Sequence, residues 1–201
     1  MLGTGRSRAR RRRSAPDYQV RVRLEPCRDE DIVQLLHWID SPELMALWAG
    51  GTFTWPLTAM QLRGYLEASR RPDSRMRIYR AVDADGGAWL GHLDFAPNAR
   101  NDGGAQIGRV MIGDPQLRGM GIGRQMIGLV LDTAFDGLGL ERVDLHVARI
   151  NSAARRCYRE VGFRKARGIL VDRVVADGIY PTIRMTIDRD TWHKRRPLIL
   201  G

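Results

Sequence analysis

QLRGMGIGRQMIGLVL, residues Gln116 to Leu131, sets three alternating glycines and two arginines between an extended apolar segment and an amphipathic helix. The segment before it, Ala105 to Ile112, ends in the apolar run Val110-Met111-Ile112, and Ile122, Met126, Leu129 and Val130 recur at helical spacing past the loop. The chain is therefore predicted to pass from strand to helix across the glycines. Gly119, Gly121 and Gly123 let backbone N–H groups crowd around an anion without Cβ interference, the new helix adds its positive end, and Arg118 and Arg124 add full charges. A pyrophosphate is the expected guest.

Three phosphate-binding patterns compete for this loop. A Walker-type loop ends in Gly-Lys-Ser/Thr, so that a lysine and a hydroxyl meet the phosphates and magnesium, whereas Gly123 is followed by Arg124 and Gln125. That reading is excluded. A dinucleotide-binding fingerprint needs Gly-x-Gly-x-x-Gly, and glycines at 119, 121 and 123 match it poorly. An acyl-coenzyme A loop follows Arg/Gln-x-x-Gly-x-Gly/Ala. The stretch fits it in two registers, as Gln116, Gly119, Gly121 and as Arg118, Gly121, Gly123. A glycine-rich turn serving only packing would not ask for arginines beside the glycines.

With 201 residues, 43% hydrophobic and 28% charged, the chain is expected to form one well-buried soluble domain. No apolar run approaches the ~20 residues that cross a bilayer, and the N-terminus lacks the apolar stretch of a secretory signal. No membrane contact is expected, and the expected location is cytoplasmic. Cys27 and Cys157 offer neither metal-ligand spacing nor a disulfide framework, and a reduced pair fits the same compartment. No metal site is expected.

The net charge of +10 suggests a nucleic-acid partner until it is located. Six arginines sit between residues 6 and 13, and without them the balance falls to +4. Residues 1–17 read as a disordered Arg-rich tail, with an RNA or ribosome anchor, or an artefact of where the reading frame was taken to start, as alternatives. The domain is expected over residues 18–193, followed by a basic C-terminal tail at 194–201.

Within that domain, alternation at Val20, Val22 and Leu24 predicts a first strand, and Ile32, Leu35, Leu36 and Ile39 mark a first helix. Ser41-Pro42-Glu43 is a helix start, and Thr58 with Gln61 forms the pattern of a capping box. Arg75–Val82 and Ala88–Phe95 flank Asp85-Gly86-Gly87 as a hairpin, and Asn98 to Gly104 reads as a polar loop. Val143, Leu145 and Val147 alternate as a strand after the glycine-loop helix, and Asn151 to Glu160 returns to helix. Further strands are expected around Ile169–Val175 and Thr182–Ile187, joined by a turn at Asp177-Gly178. The fold class is α/β (α+β), with a mixed, mostly antiparallel sheet flanked by helices.

Asn151, Ala154 and Tyr158 are spaced to line one face of the second helix, which ends in Gly162-Phe163 to give NSAARRCYREVGF. Together with the glycine loop, this stretch resembles the GNAT superfamily of acyl-coenzyme A dependent N-acetyltransferases. The resemblance runs from about Val20 to Trp192 and is strongest from Gln106 to Phe163.

The resemblance implies acetyl-CoA as acyl donor and direct transfer of the acetyl group to a primary amine. Backbone N–H groups of Arg118, Gly119, Met120, Gly121, Ile122, Gly123 and Arg124 would cradle the pyrophosphate, and Met111, Ile112 and Gly113 would offer strand backbone to the pantetheine arm. Asn151 and Ala154 would lie near the thioester, and Tyr158 would protonate the leaving thiolate. A phenol with a pKa of about 10 can donate to a thiolate whose conjugate acid is near ~8.5 when transfer accompanies departure of the sulfur. A tyrosine packed on the helix face, and an asparagine serving only as a helix cap, are the plain structural alternatives. Many members of the family carry a glutamate just before the strand that leads to the loop. Here that position is Gln106, which cannot take a full proton at neutral pH, and Asp94 on the preceding strand is the substitute candidate for the base, with a water chain as the alternative.

Trp38, Asp40, Trp48, Gly50-Gly51, Trp55-Pro56-Leu57-Thr58 and the ending from Asp177 to Trp192 look most like the branch of ribosomal-protein N-terminal acetyltransferases. Aminoglycoside 6′-acetyltransferases have a similar opening, and their polycationic substrates would call for an acidic pocket. Trp48, Phe53 and Trp55 either line an acceptor pocket or close the core. The acceptor is a small-molecule amine or a protein N-terminus. The alternative from another class is a non-catalytic acyl-CoA-binding regulatory module, which agrees with Gln106 but leaves Tyr158 unexplained.

Overall fold

The computed structural model of the chain, described over residues 20–98, 103–167, 171–175 and 178–201, is built on one mixed sheet. The chain order is β1 (Val22–Pro26), α1 (Asp31–Trp38), α2 (Pro42–Ala49), α3 (Ala59–Arg70), β2 (Arg77–Asp83), β3 (Trp89–Pro97), β4 (Gly104–Ile112), α4 (Ile122–Asp132), β5 (Arg142–Ala148), α5 (Ser152–Val161), β6 (Arg164–Lys165), β7 (Val171–Val175), β8 (Gly178–Asp188), α6 (Arg189–Arg195) and α7 (Pro197–Leu200). The strands lie in the order β1-β2-β3-β4-β5-β8-β6, with β7 also on β8. Among these, only β4 and β5 run parallel, as the crossover through α4 requires.

Strand alternation divides two apolar cores between the faces of the sheet. Leu93, Phe95, Ala105, Ile107, Val143, Leu145 and Val147 meet Met126, Ile127 and Val130 of α4, Tyr158 and Val161 of α5 and Trp192 of α6. On the other face Ile78 and Met111 meet Ile32, Leu35, Met45, Trp48, Leu62 and Leu66 from α1, α2 and α3. The helix starts follow the expected chemistry. Ser41 Oγ accepts from Leu44 N at 3.3 Å, and Thr58 Oγ1 accepts from Gln61 N at 3.3 Å. The capping box is only half made, because the Gln61 side chain turns instead to the backbone of Thr54 and Pro56.

Two irregularities in β4 position the site. β4 continues to Ile112, yet it pairs with β5 only from Gly104↔Arg142 to Ile107↔Leu145, so the sheet splits beyond that point. On the β3 side Asp94 faces Gly108 while His92 faces Met111, which leaves one extra residue on β4. Arg109, in that bulge, has φ 49°, and it is the one non-glycine residue with positive φ among those described.

The C-terminus differs from the expected tail. Residues 189–200 form α6 and α7, and they dock because Trp192 is fully buried and its indole donates to Asp132 Oδ1 at 2.9 Å. Arg196 adds bonds of 2.7 and 2.9 Å to the same carboxylate. The Arg-rich tail, Ala99–Asp102 of the polar loop, Ile169–Leu170 of the expected strand and Asp177 of the expected turn lie outside the described residues. No helix among those described is long and apolar enough to cross a membrane.

Candidate active site

The glycine loop has the backbone its sequence requires. Asp114 accepts from Gln116 N at 2.8 Å in a short turn, and Gly119 and Gly121 then adopt φ 84° and 82°, a region that strains any other residue. The N–H groups of Arg124 and Gln125 close on the Gly121 carbonyl at 3.0 and 3.1 Å. Those of residues 119–123 make no hydrogen bond among the described residues. They are left as a row of donors at the positive end of α4.

These donors face a cleft of about 540 Å³, opened by the split between β4 and β5. Val110, Ile112, Arg118, Gly119, Gly121, Gly123 and Arg124 form one wall, and the exposed face of α5 from Ser152 to Glu160 forms the other. The two helices approach closely at Gly123, where a Cβ would stand 3.4 Å from Cys157 Sγ. Arg124 and Glu160 join them by an ion pair of 3.1 Å.

Of the residues expected at the donor site, Ile112, Arg118, Gly119, Gly121, Gly123, Arg124, Ala154 and Tyr158 line this cleft. Five do not. Ile122 is fully buried in the core, and Met111 points into the core on the opposite face. The Met120 side chain is exposed outside the cleft. Gly113 donates its N–H to the Leu90 carbonyl at 3.0 Å and lies against Trp38, so it has no donor for a ligand. Asn151 caps α5, its Oδ1 accepting from Ala154 N at 3.0 Å. Sequence reasoning missed Val110, Ser152, Ala153, Arg156, Cys157 and Glu160. The helical spacing of 153, 156, 157 and 160 around Tyr158 carried that signal.

Tyr158 is buried at the foot of the cleft against Phe163, with ring centroids 6.2 Å apart. Its hydroxyl has no hydrogen-bond partner among the described residues, and burial, with Cys157 beside it, raises its pKa. It stays a neutral phenol, a donor looking for an acceptor. Burial and Glu160 push the Cys157 thiol up to about 11, so it is no nucleophile at neutral pH.

Across the sheet a smaller recess of about 180 Å³ lies between α2 and the split strands, lined by Trp48, Thr52, Gln106, Gly108, Arg109 and His146 among others. Arg109 is held beneath it. Its guanidinium pairs with Asp94, donates to Thr52 Oγ1 at 2.9 Å and sits 4.8 Å from the Tyr65 ring centroid. Asp94 also accepts from Tyr65 OH at 2.8 Å. Asp94 is therefore buried with two donors on one oxygen and lines neither the cleft nor the recess, so it does not reach the space where the proton acceptor expected of it would act. His92, fully buried 3.3 Å from the Tyr65 hydroxyl, is held neutral because burial lowers its pKa to about 4. Trp48 and Phe53 stack at 5.5 Å, closing the core and, through Trp48, walling the recess. Trp55 is 40% exposed.

A strand-to-helix anion loop at a split sheet is the arrangement of an acyl-CoA enzyme. Residues 21–164 match the acetyltransferase (GNAT) domain, and the chain belongs to that family. It is an acetyl-CoA dependent N-acetyltransferase. In fold it is similar to the spermidine N-acetyltransferase of Vibrio cholerae solved with CoA and spermine, with TM-score 0.72 and 20% identity over 86% of this chain and 98% of that one. It is also similar to a GCN5-related N-acetyltransferase from Brucella melitensis, with TM-score 0.69 and 21% identity over 88% of this chain and 79% of that one. The cleft suits the donor: free N–H groups and arginines for a pyrophosphate, and the apolar Val110 and Ile112 for the pantetheine arm.

Proposed function

We propose that the cleft between β4 and α5 holds acetyl-CoA, that Tyr158 is the acid for the leaving thiolate, and that the acceptor amine arrives through the recess on the α2 side. The observation that carries this is Tyr158, a buried residue in the lining of the cleft whose hydroxyl has no protein partner among the described residues. Bound acetyl-CoA supplies the acyl group. The chain's own part is to hold the phosphates on the N–H row and Arg118 and Arg124, to bring the thioester to the split, and to deliver the Tyr158 proton to sulfur. The β4 backbone beyond Ile107, free of β5, supplies donors for the developing oxyanion. Cys157, a protonated thiol, supports direct transfer without a covalent enzyme intermediate.

Asp94 acts here as a positioning residue that fixes Arg109, and the amine reaches the split neutral or loses its proton to water. The acceptor reading favoured is an N-terminal α-amine, as in the ribosomal-protein branch. The recess presents Arg109, Gln106, His146 and Thr52 and, among its described lining residues, no carboxylate. That lining suits an amine flanked by carbonyl groups better than a polyamine such as the Vibrio enzyme's spermine. Acetyl-CoA as co-substrate and two free thiols go with a cytoplasmic setting, and a ribosome or RNA contact through residues 6–13 is the corresponding role for the tail.

Release of free thiol from acetyl-CoA over a panel of N-terminal peptides, aminoglycosides, polyamines and amino acids tests the reading, with Tyr158→Phe as control. Turnover on peptides that the variant abolishes is expected. Turnover confined to polyamines would overturn the acceptor assignment, and donor binding without turnover on any amine would support a regulatory acyl-CoA module instead.

A further inference from the structure

The side of α5 turned from the donor cleft borders a separate recess of about 410 Å³, closed by β6, β8 and α6, which shares no lining residue with the cleft. Its floor is apolar, made of the buried Phe163, Ile183 and Met185. Its rim carries five cations, Arg155, Arg159, Arg164, Lys165 and Arg195, and no carboxylate among the described lining residues. None of the five has an ion-pair partner among the described residues, and the Arg155 Nε is buried without an acceptor. Glu160 on α5 is already joined to Arg124 at 3.1 Å, and Asp188 at the end of β8 caps α6 by accepting from Thr191 N at 2.7 Å. Arg155 and Arg159 lie one helical turn apart, so like charges stand side by side along α5, an arrangement that an anion between them relieves. Residues 149–167 hold seven arginines and lysines against the single acid Glu160, more positive charge than the +4 the whole chain keeps without its N-terminal arginines.

We propose that this recess seats single-stranded RNA, with successive phosphates on the five cations and a base over the apolar floor. A lone phosphomonoester brings close to two charges and leaves most of the rim unneutralised, whereas a strand brings one charge with every phosphate along its path. Strand-binding proteins join a cationic track to an apolar platform for the bases, and the rim and floor here combine the same two elements. The arginines of residues 6–13 give the same chain a second phosphate-seeking segment. Floor residues Ile183 and Met185 belong to the α4–α5–α6 face of the sheet, and the acceptor recess lies on the α2 face. A strand held here therefore leaves both reactant spaces open, and the proposal does not depend on how the donor and acceptor are assigned.

The test is the salt dependence of binding of a fluorescein-labelled single-stranded oligo(U) to the full-length chain, to Arg159→Ala/Arg164→Ala/Lys165→Ala, and to Arg63→Ala/Arg71→Ala/Arg77→Ala as a control of equal charge at the far end of the sheet. Each lost phosphate contact on a single strand flattens the plot of log affinity against log salt by about 0.7, so the recess variant should lose about two from the slope and about tenfold or more in affinity at ~0.1 M salt. The control should match the wild type. Arg164→Ala alone, at an exposed β6 position, should take about a third of the change in slope, and it keeps the test open if the triple variant does not fold by circular dichroism. Absence of wild-type binding, or a slope unmoved by the recess variant, overturns the site, the second result assigning the RNA to another part of the chain. An equal loss in the control assigns it to general positive potential and overturns the site as well. Displacement of the oligomer by poly-glutamate at equal charge would mark a surface for acidic protein, displacement by UMP at equal nucleotide concentration would mark a mononucleotide pocket, and displacement by saturating CoA would place the RNA in the donor cleft. Each of the three overturns the proposal.

Discussion

The indole Nε1 of Trp48 donates to the carbonyl oxygen of Arg109 at 2.8 Å, tying α2 to the one β4 residue whose backbone enters the left-handed region. The bond anchors the bulge close to the point where β4 parts from β5. Trp48→Phe keeps most of the ring packing on Phe53 but strands that carbonyl. A loss of about 1–3 kcal/mol in chemical denaturation is expected, together with a lower kcat on whichever amine is turned over. Unchanged stability would show that the bulge stands without the indole.

Gly113 is fixed by a neighbour rather than by a ligand. A Cβ there would stand 2.0 Å from the Trp38 ring, and the ring cannot retreat because Trp89 lies 4.4 Å from it. Gly113→Ala should cost about 2 kcal/mol or more, and Trp38→Leu in the same chain should recover part of the loss in melting temperature.

Tyr158→Phe removes only a hydroxyl with no protein partner among the described residues. Thermal stability should hold, while kcat falls about 100-fold or more if the phenol is the acid. Because burial raises its pKa, the phenol stays protonated through neutral and mildly alkaline pH, so an alkaline decline in kcat below about pH 10 cannot belong to it.

His92 gives the fold an acid-sensitive component. Its pKa is lowered to about 4 by burial, against about 6.5 in an unfolded chain. The unfolded state takes the proton first, so this stability is complete above about pH 6.5 and is lost as pH falls toward 4, by on the order of 3 kcal/mol. Denaturation at pH 7.5 and 4.5 should show a larger acid penalty in the wild type than in His92→Gln. Equal penalties would mean that the imidazole is protonated in place.

Asp132 receives both Trp192 and Arg196. Asp132→Ala leaves the buried indole N–H without its acceptor and releases the clamp on α7, and a loss of about 1–3 kcal/mol is expected.

The stretch from Gln116 to Leu131 carried its own structure into the sequence because every part of it is local: glycines that accept positive φ, apolar residues at helical spacing, cations at a helix start. Ser41 and Tyr158 were readable for the same reason. The bulge at Arg109 was not, since Gln106-Ile107-Gly108-Arg109-Val110 alternates no differently from an unbroken strand and the extra residue shows only against β3. Gly113 looked like strand backbone for the pantetheine arm although its constraint comes from Trp38, seventy-five positions earlier. Asp94 looked like a base because its partners, Tyr65 and Arg109, arrive from two other elements. The basic run after Trp192 read only as a basic tail, and the apolar anchor that docks it as helix is fully legible only once Asp132 is seen beneath it.

β4 parts from β5 after Ile107 and Leu145, with the cleft against α5 on one face of the sheet and the α2 recess on the other. Under the proposed reading the enzyme works as a counter served from both sides. Neither reactant has to wait for the other's doorway, no lid is required to bring them together, and the spent carrier can depart while the acetylated product is still leaving by the opposite face.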